Sequence, residues 1–193
     1  KLKKTIVFVT HDIDEAIKIG DKIALMRKGE LIQYDDPATL LYTPKNEFVR
    51  NFVGSDHVLK GLRLHKVKEV MQKPSMTVKK GEDPIQVKKR MEKKNKRWAM
   101  LIDGKNHFLG WINCNDLGSS KKIIEIIEPP VVTAEQNTQL NVALSMMLKS
   151  TIGTIAVLDD ENRLAGILSF PMIRDILNEQ FEKTNNPDNG EKS

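Results

Sequence analysis

Residues 76–117 read MTVKKGEDPIQVKKRMEKKNKRWAMLIDGKNHFLGWINCNDL, and residues 131–173 read VVTAEQNTQLNVALSMMLKSTIGTIAVLDDENRLAGILSFPMI. The two stretches match in the order of their apolar, turn and glycine residues. The aligned positions are Val78 with Thr133, Ile85 with Leu140, Met91 with Met146 and, after a shift of one residue, Leu101-Ile102-Asp103 with Val157-Leu158-Asp159 and Gly110 with Gly166. A repeat of about 55 residues is too short to bury a good core alone, so we expect the two copies to pack together.

Each copy has the pattern of a short strand, a helix, a strand, a turn, a strand and a helix. The two strands around the turn are apolar runs, and the turn contains Asp, Gly or Asn, which is typical of a hairpin. This mixture of strands and helices predicts an α/β (α+β) fold in which the copies pack through their sheets.

The first part of the chain predicts a different arrangement. Thr5–Val9 is a β-branched and aromatic run and predicts a short buried strand, which ends at Thr10-His11-Asp12. A helix over Asp12–Ile19 follows, with acidic residues in its first turn. Further elements are predicted as a hairpin of Lys22–Met26 and Glu30–Gln33 around Arg27-Lys28-Gly29, then helices that open at Asp36-Pro37 and at Pro44.

Composition and charge narrow the possible functions. Between Lys60 and Arg97 there are fourteen Lys or Arg against four Asp or Glu, whereas the whole chain has a net charge of +5. Such a block indicates an anionic partner (nucleic acid, lipid headgroups or a nucleotide) or, as the plainer alternative, a solvated helix face. No run resembles a membrane span or a signal peptide. Cys114 is the single cysteine, which excludes an internal disulfide and fits a reducing compartment.

Two family resemblances follow from these motifs. The repeat resembles a tandem pair of cystathionine-beta-synthase-type (CBS) modules over roughly Lys66 to Phe181. The stretch VTHDIDEAIKIGDKIALMRKGELIQYDDPATLLYTPKNEFVRNFVG, residues 9–54, resembles the C-terminal end of an ABC transporter ATPase. In this order the two resemble the ATP-binding subunit of glycine betaine, carnitine or choline uptake systems. The expected domains are the end of an ATPase domain (1–58), a linker (59–65), CBS 1 (66–120), CBS 2 (121–181) and a disordered tail (182–193).

The ATPase resemblance implies that His11 is the switch histidine of a larger enzyme that uses ATP and Mg²⁺. A polar side chain at the tip of such a strand can meet a phosphate; a helix-capping role is the alternative. The chain has no G-x-x-x-x-G-K-[ST] loop, no glycine-rich signature loop and no strand ending in Asp-Glu. We therefore expect a fragment that is inactive alone and holds no metal. The implied partners are transmembrane permease subunits, at the cytoplasmic face of the cell membrane.

The ligand signature of CBS modules (Gly, two residues, Ser or Thr, two residues, Asp) is incomplete in both copies. The first copy keeps Asp116 but has Asn113 in place of the hydroxyl, and the second keeps Ser169 but has Met172 in place of the carboxylate. The resemblance makes Asn113 and Asp116 a second candidate cleft, but it puts ribose-dependent binding of ATP or AMP in doubt. A passive module that only forms the homodimer through its CBS domains remains the alternative.

The second copy is the expected ligand site, and resemblance to osmolyte-uptake ATPases of Gram-positive bacteria implies cyclic di-AMP. Its 3′ oxygens are esterified, so a carboxylate at the position of Met172 would have no ribose diol to bind. The expected site comprises apolar walls from Val132, Ile152, Ile155 and Phe170, hydroxyls from Thr133, Thr154 and Ser169, the backbone of Gly153, and Arg174 for a phosphate. Ordinary core packing is the alternative for each of these residues.

The predicted helices of the two copies differ in charge. The alignment above puts Lys89 and Glu92 at the positions of Leu144 and Met147. The first helix should therefore expose a basic block, namely Lys88, Lys89, Arg90, Lys93, Lys94, Lys96 and Arg97. Few aromatic residues interleave with these charges, which argues against a single-stranded nucleic-acid surface. For a chain that resembles a subunit of a membrane transporter, we expect the block to contact an anionic membrane surface at low salt and to leave it as the ionic strength rises. The second helix has a broad apolar face expected to form core and dimer surface, made by Leu140, Ala143, Leu144, Met146 and Met147.

Overall fold

The computed structural model describes residues 4–118 and 122–185. The chain divides into two compact units. Of the described residues, 4–65 and 175–185 belong to the first unit, and those between Lys66 and Arg174 belong to the second.

The first unit contains α1 (Ile13–Ile19), β1 (Ile23–Arg27), β2 (Glu30–Asp35), α2 (Pro37–Tyr42), α3 (Glu47–Val53), α4 (His57–Gly61) and a 3₁₀ turn at Leu62–Leu64. The predicted hairpin is confirmed: β1 and β2 pair antiparallel. Lys28 and Gly29 form the turn with φ of 51° and 84°, as a tight two-residue turn requires. Buried side chains of the hairpin and of α1–α3 form the core of this unit.

Side-chain caps fix where the helices of the first unit begin. Asp12 caps α1 by accepting the N–H groups of Asp14 and Glu15, and Asp36 caps α2 ahead of Pro37. The prediction that a helix opens at Pro44 was wrong. Asn46 accepts the N–H of Val49, so α3 begins at Glu47, because a short polar side chain satisfies a free N–H of the first turn.

The predicted buried strand at Thr5–Val9 is also wrong for this structure. Residues 5–9 are assigned to no strand, and Ile6 and Val9 are 83% and 89% exposed. A strand needs a neighbour to satisfy its backbone groups. The only sheet of the first unit among the described residues is the β1–β2 hairpin, and Thr5–Val9 is not part of it.

The second unit contains the two repeats. The first has α5 (Val67–Val70), β3 (Thr77–Lys79), α6 (Pro84–Lys93), β4 (Trp98–Ile102) and β5 (Phe108–Asn113). The second has β6 (Thr133–Glu135), α7 (Leu140–Met147), β7 (Thr154–Leu158), β8 (Leu164–Ser169) and the start of α8 (Phe170–Asn185). Each forms a three-stranded sheet, in which the first strand pairs parallel and the last pairs antiparallel with the middle strand.

The register of the two sheets corrects the sequence alignment. Thr77 pairs with Met100, and Thr133 pairs with Ala156. Equivalent residues therefore lie 56 positions apart throughout, as Gly110 and Gly166 also do, and the one-residue shift was wrong. Because Met146 and Met147 are adjacent, the sequence alone allowed either to match Met91. The structure matches Met91 with the buried Met147, so Lys88, not Lys89, stands at the position of Leu144.

The segment before each repeat crosses to the last strand of the other repeat. Gln72 forms an antiparallel bridge with Ile167 of β8, and Glu128 forms the equivalent bridge with Trp111 of β5. Between the two sheets lies an apolar cluster that draws on both repeats, consisting of Met100, Ile102, Trp111, Ala156 and Leu164. The copies are thus joined by both backbone hydrogen bonds and core packing, as expected of units that are too small to fold singly.

The crossing segments explain why both copies carry a glycine at the same position. A Cβ on Gly110 would lie 2.5 Å from the carbonyl oxygen of Glu128, and one on Gly166 would lie 2.9 Å from that of Gln72. Contacts of that length with backbone atoms cannot be relieved by a side-chain rotation, so only glycine allows this close approach.

Helix α8 extends to Asn185. The predicted disordered tail began at residue 182, but residues 182–185 form the last turn of this helix. Residues 186–193 lie outside the described residues.

Candidate functional site

The predicted cleft of the second repeat lies at the edge of its sheet where β6 and β7 begin and β8 ends. Thr154 of β7 stands directly across from Ser169 of β8, so the structure brings these two hydroxyl-bearing residues together. Thr133 of β6 pairs with Ala156, two residues further along β7. All three hydroxyl residues are half-buried, and they therefore sit at one edge with partial access to solvent.

Gly153 and Phe170 form the most constrained part of this edge. Gly153 has a φ of +68°, and a Cβ there would lie 3.2 Å from the Phe170 ring. The N–H of Phe170 donates to the Gly153 carbonyl at 3.4 Å. A left-handed backbone covered by an aromatic ring requires glycine, and the ring, 38% exposed, provides one apolar wall.

Arg174 is exposed and follows Phe170 by four residues in α8. Residues at this spacing share one helix face. The guanidinium group and the aromatic wall are therefore presented on the same side of α8, which suits a ligand that carries both a ring and a phosphate.

The other predicted wall residues separate into two groups. Val132 and Ile152 are half-buried, and Ile152 packs against the cluster between the sheets. Ile155 has no exposed surface. Because side chains alternate along a strand, Ile155 points to the opposite side of the sheet from Ala156 of that cluster. The structure therefore places Ile155 in the core and not at the cleft surface.

Ser150 is a residue of this edge that the sequence analysis missed. Its hydroxyl accepts the N–H of Ile152 at 3.3 Å and donates to the carbonyl of Thr154 at 3.4 Å. It thus holds the loop that presents Gly153 and Thr154. A serine followed three residues later by glycine was the available signal, since serine commonly bonds the backbone two residues on.

The corresponding edge of the first repeat is built differently. Arg97 and Trp98 stand at the positions of Gly153 and Thr154, and Trp98 packs against the cluster between the sheets. Asn113 uses its side-chain oxygen to accept the N–H of Asn115 at 3.0 Å, and Asp116 is exposed. A bulky ring and a locally bonded amide thus replace the small hydroxyl residues of the second repeat.

The basic block on and after α6 is exposed apart from Lys88, which is half-buried. Arg90 pairs with Glu82 at 2.8 Å, and Lys94 donates to the carbonyl of Ser75 at 3.2 Å. Lys89, Lys93, Lys96 and Arg97 extend the positive surface. No helix among the described residues has the length and hydrophobicity needed to cross a bilayer.

His11 is exposed at a bend just before α1. The hydroxyl of Thr10 donates to the Glu15 carboxylate at 2.7 Å and accepts the N–H of Asp12 at 3.0 Å. Residues 10–12 are therefore fastened to the first turn of α1. Within the described ranges, no three His, Cys, Asp or Glu residues gather into a group that could hold a metal ion.

Comparison with known proteins gives a family for the second unit. The family model described as "CBS domain" matches residues 67–117 and 123–179, which include both three-stranded sheets and the residues of both predicted clefts. The chain belongs to the CBS-domain family. Among solved structures, the Staphylococcus aureus OpuCA chain is matched with a TM-score of 0.51 at 23% identity, over 57% of this chain and 97% of that one.

A CBS domain pair of protein MJ0100, solved with 5′-methylthioadenosine and S-adenosyl-L-methionine, is matched with a TM-score of 0.50 at 25% identity. This match covers 58% of the present chain and 98% of that chain.

Curated relatives match nearly the whole chain. The glycine betaine/carnitine/choline transport ATP-binding protein OpuCA of Bacillus subtilis is 30% identical over 91% of this chain and 48% of its own length. The osmoprotectant import ATP-binding protein OsmV of Salmonella typhimurium is 34% identical over 92% of this chain and 47% of its own length. The chain is therefore homologous to ATP-binding subunits of osmoprotectant ABC importers, and it spans about half the length of the curated relatives it matches.

Proposed function

We propose that the chain is the regulatory C-terminal part of the ATP-hydrolysing subunit of an osmoprotectant importer. Its relatives are named as ATP-binding proteins for glycine betaine/carnitine/choline transport and for osmoprotectant import, and the match extends through both units. In the whole subunit His11 would act as the switch histidine, with ATP and Mg²⁺ held by residues outside this sequence. The partners would be permease subunits, which place the protein at the cytoplasmic face of the membrane.

The second cleft is the proposed sensor, and its ligand is an adenine nucleotide. One observation carries this proposal: Thr154 and Ser169 face one another beside Gly153 and the Phe170 ring. Apolar walls with a few convergent polar groups are typical of small-molecule sites. The similar CBS pair solved with two adenosine compounds supports the ligand class.

We further propose that this nucleotide is cyclic di-AMP, shared by two copies of the chain. Met172 stands where a carboxylate would bind a ribose diol, which disfavours AMP and ATP. The cyclic dinucleotide has no free 3′ hydroxyl, so the absence of a carboxylate at position 172 costs it no hydrogen bond to a ribose diol. A two-fold ligand also suits a homodimer, because each half of the ligand meets the same residues.

Calorimetric titration with cyclic di-AMP, AMP and ATP tests this proposal. We expect saturable binding of the cyclic dinucleotide and weak binding of the other two. Arg174→Ala should lower the affinity, because it removes the cation that shares a helix face with Phe170, whereas Lys149→Ala, an exposed control just after α7, should not. Tight binding of AMP or ATP without cyclic di-AMP would refute the assignment.

The alternative function is a passive dimerisation module with empty clefts. The specific observation in its favour concerns the predicted first cleft. There Trp98 packs against the cluster between the sheets, and the side-chain oxygen of Asn113 already accepts the N–H of Asn115, so few polar groups remain to bind a ligand. A chain that forms dimers by analytical ultracentrifugation, but binds none of the three nucleotides, would support this alternative.

The chain alone should not hydrolyse ATP. It contains His11, the proposed switch histidine, but no G-x-x-x-x-G-K-[ST] loop to hold the phosphates. We expect phosphate release with Mg²⁺ and ATP to stay at the level of the buffer. Turnover that is lost on His11→Ala would contradict the proposal that this chain is part of a larger enzyme.

A further inference from the structure

The side of α7 that faces away from the core of the second repeat is apolar. The stripe of this helix that faces the core is fully buried and consists of Leu140, Ala143 and Met147. Outside the stripe lie four further apolar residues, which we call the outer patch: Val142, Leu144, Met146 and Leu148. Val142 and Leu148 are 41% and 73% exposed, and the other two are half-buried. Exposed apolar side chains that are grouped on one helix are typical of interaction surfaces.

The residues of the outer patch form two ridges with a groove between them. Val142 and Met146 are four residues apart, as are Leu144 and Leu148, so each pair makes one ridge along the helix. Ser145 lies between the ridges and is exposed. Its hydroxyl donates to the backbone carbonyl four residues earlier at 3.0 Å, so Ser145 can be covered without leaving a hydrogen bond unmade. A groove of this kind, with a small residue at its floor, can receive a ridge of another helix.

The equivalent helix of the first repeat, α6, lacks this surface. Its core stripe is the same, since Val87 and Met91 are fully buried. The positions of the outer patch, 56 residues earlier, hold Gln86, Lys88, Arg90 and Glu92. Lys89 stands at the position of Ser145 and fills the groove. The repeat therefore folds with a charged surface at this place, so the fold does not require the apolar surface of α7, which points to a partner.

The lack of charge on α7 indicates which partner fits. Residues 140–148 contain no charged side chain, so a two-fold contact, which sets the outer patch against itself, brings no like charges together. The same contact between two α6 helices would set Lys88 and Lys89 against their own copies. A contact of α6 with α7 would take these lysines out of water against a surface that has no charge to pair with them. A second copy of the chain therefore fits the second repeat and not the first.

We propose that two copies of the chain associate through α7 of their second repeats, with a ridge of each outer patch in the groove of the other and with α6 outside the contact. The helix leads directly into the loop of the proposed ligand site, because the N–H of Ser150 donates to the Met147 carbonyl at 3.0 Å. This pairing is therefore the one that suits a ligand shared by two second repeats. That consequence rests on the proposed function, whereas the pairing itself rests on the surface of α7.

Sedimentation equilibrium of the 193-residue chain tests the pairing without any ligand. Ser145→Lys places in the groove the residue that α6 carries there, at an exposed position where the fold should persist, as circular dichroism checks. We expect the dimer dissociation constant to rise at least about tenfold, because two lysines would meet at the two-fold contact. Gln86→Lys adds the same charge to an exposed position of α6 and should associate like wild type. Leu148→Gln, which adds no charge, should also weaken association.

Three outcomes of this experiment would overturn the pairing. One is a wild-type chain that stays monomeric up to the concentrations used for calorimetry. Another is a folded Ser145→Lys variant that dimerises as tightly as wild type. The third is equal weakening by Ser145→Lys and Gln86→Lys, because net charge or the first repeat would then govern the association.

Cysteine cross-linking identifies which repeats meet. Cys114 is the single cysteine, so the variants are made in a Cys114→Ala background. Ser145→Cys should give covalent dimers with a short bismaleimide, whereas Lys89→Cys, at the equivalent position of α6, should not. Cross-linking of Lys89→Cys but not of Ser145→Cys would show that the first repeats pair. Dimers that neither variant cross-links would show that another surface pairs, and either result would refute the proposal.

Calorimetry with cyclic di-AMP separates this inference from the proposed function. Binding of cyclic di-AMP by a chain that stays monomeric would refute the pairing and leave the ligand assignment standing. Dimers that are weakened by Ser145→Lys and cross-linked through Ser145→Cys, but that bind no nucleotide, would confirm the pairing and refute the ligand assignment.

Discussion

In the first repeat Asp103 accepts the N–H groups of Lys105 and His107, both at 2.8 Å. In the second repeat Asp159 does the same for Glu161 and Arg163, both at 2.9 Å. The asparagines of these turns, Asn106 and Asn162, have φ of 69° and 60°. The turns, the crossing segments and the close-approach glycines are thus the same in both copies, because backbone geometry demands them.

The copies differ at positions that this framework leaves unconstrained. At the edge of the proposed ligand site the second repeat has Gly153 and Thr154, where the first has Arg97 and Trp98. The helix that follows the first strand is basic in one repeat and apolar in the other, with Lys88 at the position of Leu144. The comparison teaches that two copies with the same backbone framework carry different side chains on their surfaces. We propose that the second copy senses a ligand and that the first binds an anionic surface.

The largest expected effect comes from breaking the shared framework at Gly110. Gly110→Ala puts a methyl group 2.5 Å from the Glu128 carbonyl at a φ of +151°, so overpacking and backbone strain together should lower the free energy of unfolding by about 4 kcal/mol. Denaturant unfolding measures the loss. Gly104→Ala is the control, since a Cβ there would meet no atom within 4 Å apart from those of its own residue and its chain neighbours. Equal effects at both glycines would contradict the account of the crossing segments.

A second prediction concerns the basic block that only the first repeat carries. Replacing Lys89, Lys93 and Lys96 by glutamine should weaken binding to anionic vesicles by about 3 kcal/mol, or roughly a hundredfold, at about 1 kcal/mol for each charge near the surface. Co-sedimentation across a salt series measures it, and binding should weaken as salt rises. Glutamine at Lys18, Lys28 and Lys45 changes the net charge equally and serves as the control.

If both triple variants lose the same affinity for vesicles, net charge and not the basic block governs binding. Vesicle binding that does not change with salt, or no binding at low salt, would remove the membrane role.

The smallest expected effect concerns the turn of the second repeat. The hydrogen bond from the backbone N–H of Arg163 is the main cause that lowers the pKa of Asp159 below its usual 3.8. A depressed pKa means that the carboxylate stabilises the fold fully above pH 3.8 and that this contribution is lost as the pH falls through the lowered value. Asp159→Asn should therefore lower the thermal midpoint near neutral pH but have less effect in acid. The exposed neighbour Asp160 provides the control. An equal shift of the thermal midpoint from Asp160→Asn would contradict this prediction.

The sequence predicted those features that depend on local patterns. The repeat, the hairpin around Lys28-Gly29 and the helices that begin near Asp12 and at Asp36-Pro37 were all predicted from local patterns. The alignment of α6 with α7 failed by one residue, because adjacent methionines at 146 and 147 give the same apolar signal. Only the strand register, which depends on partners far along the chain, decides between them.

Long-range contacts account for what the sequence could not predict. Thr5–Val9 has the composition of a strand, but composition does not supply a neighbour. Ile155 has the character of a cleft wall, yet it points into the core because the alternation of β7 is fixed by its partner strands. The roles of Gly61 and Gly166 depend on Tyr42 and Gln72, which no local pattern connects to them.

The central claim is that the two repeats differ at the sheet edge that carries Thr154 and Ser169 in the second repeat. Filling this edge with a large side chain tests the claim most directly. Thr154→Trp places in the second repeat the side chain that the first repeat already carries at Trp98, so the fold should persist and thermal unfolding checks this. Calorimetric titration with cyclic di-AMP should show at least about a tenfold loss of affinity, or 1.4 kcal/mol. Asn113→Ser, which changes the first cleft at the position of Ser169, should titrate like wild type. Unchanged affinity in a folded Thr154→Trp variant would contradict the account.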